Sequence, residues 1–111
     1  MFLIEDCAHA LGTTYDNKHV GTFGSSGCFS FYPTKQIAIG EGGMVITNDA
    51  KFGAFISQYK AFGIDVPPED RKIPGKYDVK GLGYNYRMTD YQSAIGLGQL
   101  TRYAQNSNEE T

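Results

Sequence analysis

Cys28-Phe29-Ser30-Phe31-Tyr32-Pro33-Thr34-Lys35 decides how this chain is read, together with Gly40-Glu41-Gly42-Gly43-Met44-Val45-Ile46-Thr47 shortly after it. Residues 28–32 follow a two-residue period that puts Ser30 on the face opposite Phe29 and Phe31, as in a strand, and Pro33 stops it. Lys35 then falls on the loop beyond the strand. The glycines at 40, 42 and 43 mark a place where the backbone passes close to that loop or takes positive φ, and Met44-Val45-Ile46-Thr47 reads as a further strand.

Upstream, Phe2-Leu3-Ile4 is an unbroken apolar run ending in Glu5-Asp6. It suits a buried parallel strand whose polar residues emerge at its carboxyl end, the end where open α/β sheets bind ligands. Residues 12–27 are rich in turn formers, with Asp16-Asn17 and a short extended piece around His19-Val20. Downstream, Asn48-Asp49 opens a helix in which Phe52, Phe55, Ile56 and Tyr59 share one face, ending near Gly63. Residues 64–83, with Pro67, Pro68 and Pro74, read as a long irregular loop. Thr89-x-x-Gln92 is a capping box for a second helix along Tyr91, Ala94, Ile95 and Leu97, and a polar, frayed tail is expected over 105–111. Three strands, then a helix, joined by glycine turns, point to part of an α/β sheet.

At 111 residues there is room for one domain at most, and 41% apolar with 20% charged residues is a globular composition rather than a disordered tail. A net charge of −2 gives no basic excess for nucleic acid or anionic lipid. No apolar run approaches the ~20 residues that cross a bilayer, so neither nucleic acid nor membrane is an expected partner, and a soluble cytoplasmic protein is expected. Cys7 and Cys28 lie in no metal-ligand or disulfide spacing and read as small buried hydrophobes, with no metal site. Fourteen glycines, about 13% against a usual ~7%, show that backbone geometry is being used.

Asp6 at a strand end, His9 three residues on, Ser30 on a neighbouring strand and Lys35 on the following loop form a chemically suggestive set. Taken singly, each has an ordinary role as well: Asp6 as a turn cap, His9 as a hydrogen-bonded imidazole, Ser30 as a strand hydroxyl, Lys35 as a solvated amine. Asn85 reads equally as a turn residue before the second helix. Arg87 suits either a substrate carboxylate or a brace for its loop.

The strings Ile4-Glu5-Asp6-Cys7-Ala8-His9-Ala10-Leu11-Gly12, Phe29-Ser30-Phe31-Tyr32-Pro33-Thr34-Lys35, Gly40-Glu41-Gly42-Gly43 and Gly83-Tyr84-Asn85-Tyr86-Arg87-Met88-Thr89-Asp90 strongly resemble the DegT/DnrJ/StrS sugar aminotransferases, in the same order. The resemblance implies a fold-type I large domain dependent on pyridoxal 5′-phosphate (PLP), a three-layer α/β/α arrangement with a mixed, mostly parallel sheet. Residues 1–104 would be a partial PLP-binding large domain, with the N-terminal part and the C-terminal small domain absent.

In such a family Lys35 bonds the PLP aldehyde and moves the proton between carbons. Asp6 pairs with the pyridinium nitrogen, His9 with the phenolic oxygen and Ser30 with the phosphate, while Asn85 reaches the phosphate of a neighbouring subunit in a homodimer. The implied reaction moves an amino group from an amino acid, glutamate being expected, to a keto group of a nucleotide-linked deoxysugar. It belongs to cell-surface polysaccharide or secondary-metabolite sugar biosynthesis. A branch of the family with His at the lysine position dehydrates instead, and Lys35 favours transamination. The alternatives are a truncated, non-catalytic remnant of the family, or an unrelated α/β domain with a phosphate-binding glycine loop. The latter is disfavoured because residues 40–43 lead into a strand rather than a helix.

Overall fold

The computed structural model describes residues 1–109, with side chains described as far as Tyr103. In chain order the elements are β1 (Ile4–Asp6), β2 (Thr14–Tyr15), β3 (Lys18–His19), β4 (Ser26–Ser30), β5 (Gly43–Ile46), α1 (Ala50–Tyr59) and α2 (Asp90–Glu109), with a 3-10 turn at Pro68–Asp70. They fall into two compact units, Met1–Asn48 with Met88–Thr111, and Asp49–Arg87.

The first unit is built on a sheet of order β1-β4-β5. β1 runs parallel to β4, with Asp6 opposite Cys28, and β5 runs antiparallel to β4, with Ser30 opposite Gly43. The sheet is therefore mixed, but the expected preponderance of parallel pairing is not found among the described strands. The reason lies in residues 31–42: Phe31 N–H donates to Gly42 O at 2.9 Å, so the chain folds straight back beside β4 instead of crossing over. Gly40, at φ +89°, takes the left-handed turn conformation within that return.

Local boundaries differ from the sequence expectation in instructive ways. β4 occupies Ser26–Ser30, earlier than the 28–32 alternation suggested, because Tyr32-Pro33-Thr34-Lys35 is drawn into a turn closed by Lys35 N–H to Tyr32 O at 2.9 Å. β1 is Ile4–Asp6, and Phe2, Leu3 and Ile4 are exposed rather than buried. Among the described residues β1 has β4 on one side and no strand on the other. The extended piece near His19 is half of a hairpin whose other strand, β2, the sequence did not reveal. Its turn puts both Asp16 and Asn17 at positive φ, the geometry that matches strand twist in a two-residue loop.

Among the described residues the buried side chains are those of Cys7, Ile37, Ile39 and Ser26. Gly27, in the middle of β4, lies so close to Gly21 that a Cβ on it would overlap the Gly21 backbone, and Gly21 itself sits at φ +88°. Only glycine at both positions allows the 21–24 loop to lie against the strand.

α2 starts as the capping box requires: Thr89 N–H donates to Gln92 Oε1 at 3.0 Å and Gln92 N–H to Thr89 Oγ1 at 3.3 Å. The expected apolar stripe is not the packed one, since Tyr91, Ile95 and Leu97 are exposed. Instead Gln92, Gln99 and Tyr103 point inward and bond loop backbone. Gln92 Nε2 donates to Glu41 O at 2.7 Å, Gln99 Oε1 accepts from Ala38 N–H at 2.8 Å while its Nε2 donates to Ala38 O, and Tyr103 OH donates to Leu11 O at 3.1 Å. Loop backbone needs partners that apolar side chains do not provide, which explains a polar packing face. The tail expected over 105–111 lies outside the residues whose side chains are described; helical backbone extends to Glu109.

In the second unit Asp49 caps α1, its Oδ1 accepting from Lys51 N–H at 2.9 Å and Phe52 N–H at 3.2 Å. The aromatic rings of Phe55, Tyr59, Tyr84 and Tyr86 follow one another at centroid separations of 5.5, 5.2 and 5.1 Å. Residues 64–83 are more regular than a free loop: Ile64 pairs with Val79, and Asp65 N–H donates to Asp78 O at 3.0 Å.

Candidate functional site

Because β1 and β4 are parallel, their carboxyl ends, at Asp6 and Ser30, lie at the same end of the sheet. Asp6 pairs with Cys28, and Ser30 is two residues beyond Cys28, so Asp6 and Ser30 share a face. Glu5, opposite Gly27, points to the other face. The chain leaves β1 through a turn in which Asp6 Oδ1 accepts from Ala8 N–H at 3.1 Å and Ala10 N–H donates to Cys7 O at 3.0 Å. That turn presents His9.

Lys35 arrives from the other side, on the turn after Pro33. Its Nζ lies 2.7 Å from His9 Nε2 and 3.5 Å from Nδ1, and Gln36 Nε2 donates to His9 O at 3.3 Å. At 2.7 Å one nitrogen must lend a lone pair to a proton of the other, which couples the amine to the imidazole. Ser30 Oγ accepts from Tyr32 N–H at 3.3 Å, leaving the hydroxyl proton to be donated elsewhere. Four of the five residues singled out by sequence, Asp6, His9, Ser30 and Lys35, thus belong to the first unit. They offer an amine, an imidazole, a carboxylate and a hydroxyl.

Asn85 belongs to the second unit. It is bridged to Ala61, and its Oδ1 accepts from Arg87 Nε–H at 3.2 Å. The Arg87 guanidinium lies 4.8 Å from the centre of the Phe62 ring. Of the two roles open to Arg87, bracing its own loop is the one these contacts display, and the brace turns the Asn85 amide nitrogen away from the arginine.

Two further groups are perturbed. Burial pushes the Cys7 thiol up, with the Glu5 and Asp6 carboxylates adding to the effect, so it is a poor nucleophile. The Glu5 carboxyl is held below its ordinary value, chiefly by the Gly24 N–H and then by those of Gly21 and Phe23, against the opposing effect of desolvation. Sequence inspection assigned Glu5 nothing. Its signal was present in the adjacent acids Glu5-Asp6 and in the spacing Gly21-x-x-Gly24.

This donor set fits PLP: an amine for the aldehyde, a carboxylate for the ring nitrogen, an imidazole for the ring oxygen and a hydroxyl for the phosphate. Among the described residues no helix is long and apolar enough to cross a membrane.

The family model for the DegT/DnrJ/EryC1/StrS aminotransferase family matches residues 1–110. A GDP-perosamine synthase from Escherichia coli O157:H7 is 46% identical over 90% of this chain and 26% of its own length. The solved structure of Helicobacter pylori PseC, an aminotransferase involved in the biosynthesis of pseudoaminic acid, superposes with a TM-score of 0.80 at 37% identity, over 91% of this chain and 26% of that one. A sugar aminotransferase Spr1654 from Streptococcus pneumoniae, solved in a PLP form, superposes at 0.77 with 27% identity over 94% of this chain and 26% of that one. The chain spans about a quarter of the length of the curated relatives it matches.

Proposed function

Since the chain belongs to the DegT/DnrJ/EryC1/StrS aminotransferase family, we propose that it supplies the lysine-bearing part of a PLP-dependent sugar aminotransferase. Residues 1–104 are, in this proposal, a portion of the large domain of a three-layer α/β/α fold. The observation that carries it is the 2.7 Å contact of Lys35 with His9 at the sheet end where Asp6 and Ser30 share a face.

Each residue then has a stated task. Lys35 Nζ holds the cofactor and carries a proton to and from the reacting substrate carbon, which requires a neutral amine. His9 Nε2, already within hydrogen-bond reach of that amine, bonds the phenolic oxygen. Asp6 keeps the ring nitrogen protonated, and Ser30 donates its hydroxyl proton to the phosphate. The Asn85 amide, turned by Arg87, donates to the phosphate held by a second copy in a homodimer. When bound, PLP supplies the electron sink that allows an amino group to pass between carbons. The substrates are an amino acid, glutamate in this proposal, and a nucleotide-linked keto-deoxysugar, in a cytoplasmic step of surface-polysaccharide or secondary-metabolite sugar synthesis. The names of the perosamine synthase and PseC support that substrate class.

Titrating purified protein with PLP tests the cofactor reading. The wild-type chain gains visible absorbance that persists on gel filtration, and Lys35→Ala, with an unchanged far-ultraviolet circular dichroism spectrum, does not. Absence of that band in the wild-type chain at saturating PLP overturns the reading.

A further inference from the structure

Glu5 and Asp6 are neighbouring carboxylates on β1, and neighbouring strand residues point to opposite faces. A slip of one residue would exchange them, delivering Glu5 to the Ser30 face in place of Asp6. β1 is three residues long, and Ser25 N–H to Leu3 O and Cys7 N–H to Cys28 O, each at 2.8 Å, extend its pairing with β4 by one backbone bond at either end.

A clasp on the opposite face adds to those bonds in resisting such a slip. Glu5 Oε2 accepts from Gly21 N–H at 2.7 Å and Oε1 from Gly24 N–H at 2.6 Å, so both carboxylate oxygens are engaged by one loop. Charge-assisted bonds of this length are about twice as strong as neutral ones. The fit depends on glycine, because a Cβ on Gly24 would stand 2.6 Å from Leu3 O. It also depends on the longer acid, since an aspartate would be one methylene short of the same two donors. Slipping β1 by one residue would move its following turn by about 3.3 Å, more than the 2.7 Å contact between His9 and Lys35 can absorb.

We propose that Glu5 is the positioning residue of the candidate site: by clasping the 21–24 loop it fixes the register of β1 on β4, which sends Asp6 to the Ser30 face and brings His9 to Lys35. The register claim stands on geometry alone; only its consequence for PLP rests on the cofactor reading above.

The clasp has a pH dependence of definite sign. Backbone N–H groups hold the Glu5 carboxyl below its ordinary value; Lys18 is the cation that faces it, and Asp6 on β1 and Cys7 just beyond it are its titratable neighbours. A lowered folded-state value means that the clasp is complete above the ordinary carboxylate value and opens as pH falls through the lower one.

Amide hydrogen exchange of the full chain, read by NMR at Gly21, Gly24 and Cys7, tests the proposal. Cys7 reports register, since its N–H donates to Cys28 O at 2.8 Å. In Glu5→Gln, which keeps the shape but places an NH2 against one of the two donors, all three amides exchange about tenfold faster or more, and the PLP concentration for half-maximal absorbance rises about tenfold. Asp78→Asn, a carboxylate change in the second unit, alters none of these. Acidifying the wild-type protein provides a second route if Glu5→Gln does not fold: Gly21, Gly24 and Cys7 open with one midpoint, while the Ala38 amide, held by Gln99, stays protected. Three outcomes overturn the proposal: retained protection of Gly21 and Gly24 in Glu5→Gln, loss at those two with Cys7 unchanged, or opening of Ala38 at the same midpoint as the rest. If the wild-type chain takes no PLP, the cofactor reading falls and the amides of Gly21, Gly24 and Cys7 judge Glu5 by themselves.

Discussion

In the unit formed by Met1–Asn48 and Met88–Thr111, Gln99 on α2 bonds the backbone of Ala38, sixty-one residues earlier, and Tyr103 reaches Leu11 across ninety-two. In Asp49–Arg87 the ring ladder 55-59-84-86, the Asp78–Lys80 ion pair at 2.6 Å and the Arg87–Asn85 bond are made among exposed or half-buried side chains. The first unit buries Cys7, Ile37 and Ile39, whereas no large apolar side chain of the second is buried. The difference lies in which side-chain contacts tie each unit together. In the unit that carries Asp6, His9, Ser30 and Lys35, side chains bond backbone across long sequence separations; in the unit that carries Asn85, rings stack while backbone bonds such as Tyr84 N–H to Tyr59 O at 2.7 Å close shorter separations.

Breaking the close approach in the first unit has the largest expected effect. Gly27→Val forces β4 away from Gly21 and is expected to cost about 3 kcal/mol, seen as a lower urea midpoint and as loss of the PLP band. A smaller loss follows from removing one directional bond pair. Gln99→Ala leaves the Ala38 N–H and C=O without their partner and is expected to cost about 2 kcal/mol in urea unfolding. Smallest of the three, Tyr84→Ala takes a half-exposed ring out of contact with Tyr59 and Tyr86, at about 1 kcal/mol. If Tyr84→Ala proves as damaging as Gln99→Ala, the distinction between side-chain bonding to backbone and ring stacking does not hold.

Much of the local structure was legible in the residues. Asp49 and Thr89 announce their helices because a cap is satisfied within three residues, and Pro33 announces the turn that delivers Lys35 because it removes a donor locally. Strand limits moved by about two residues where a turn or loop competed for the same backbone, as at Tyr32. The apolar stripe of α2 misled because periodicity reports which residues share a face, not which face is packed. Gln92, Gln99 and Tyr103 were chosen by loop carbonyls and amides that only the folded chain brings to them.

The sequence by itself determined the family, the mixed α/β character and the presence of an amine, an imidazole, a carboxylate and a hydroxyl near one sheet end, because motif strings, alternation and caps are short-range properties. Tertiary structure alone decided which of two adjacent acids faces Ser30, that Lys35 touches His9, and that Arg87 braces Asn85. Those outcomes depend on strand register and on partners as far as twenty-six residues away, which short-range sequence signals do not specify.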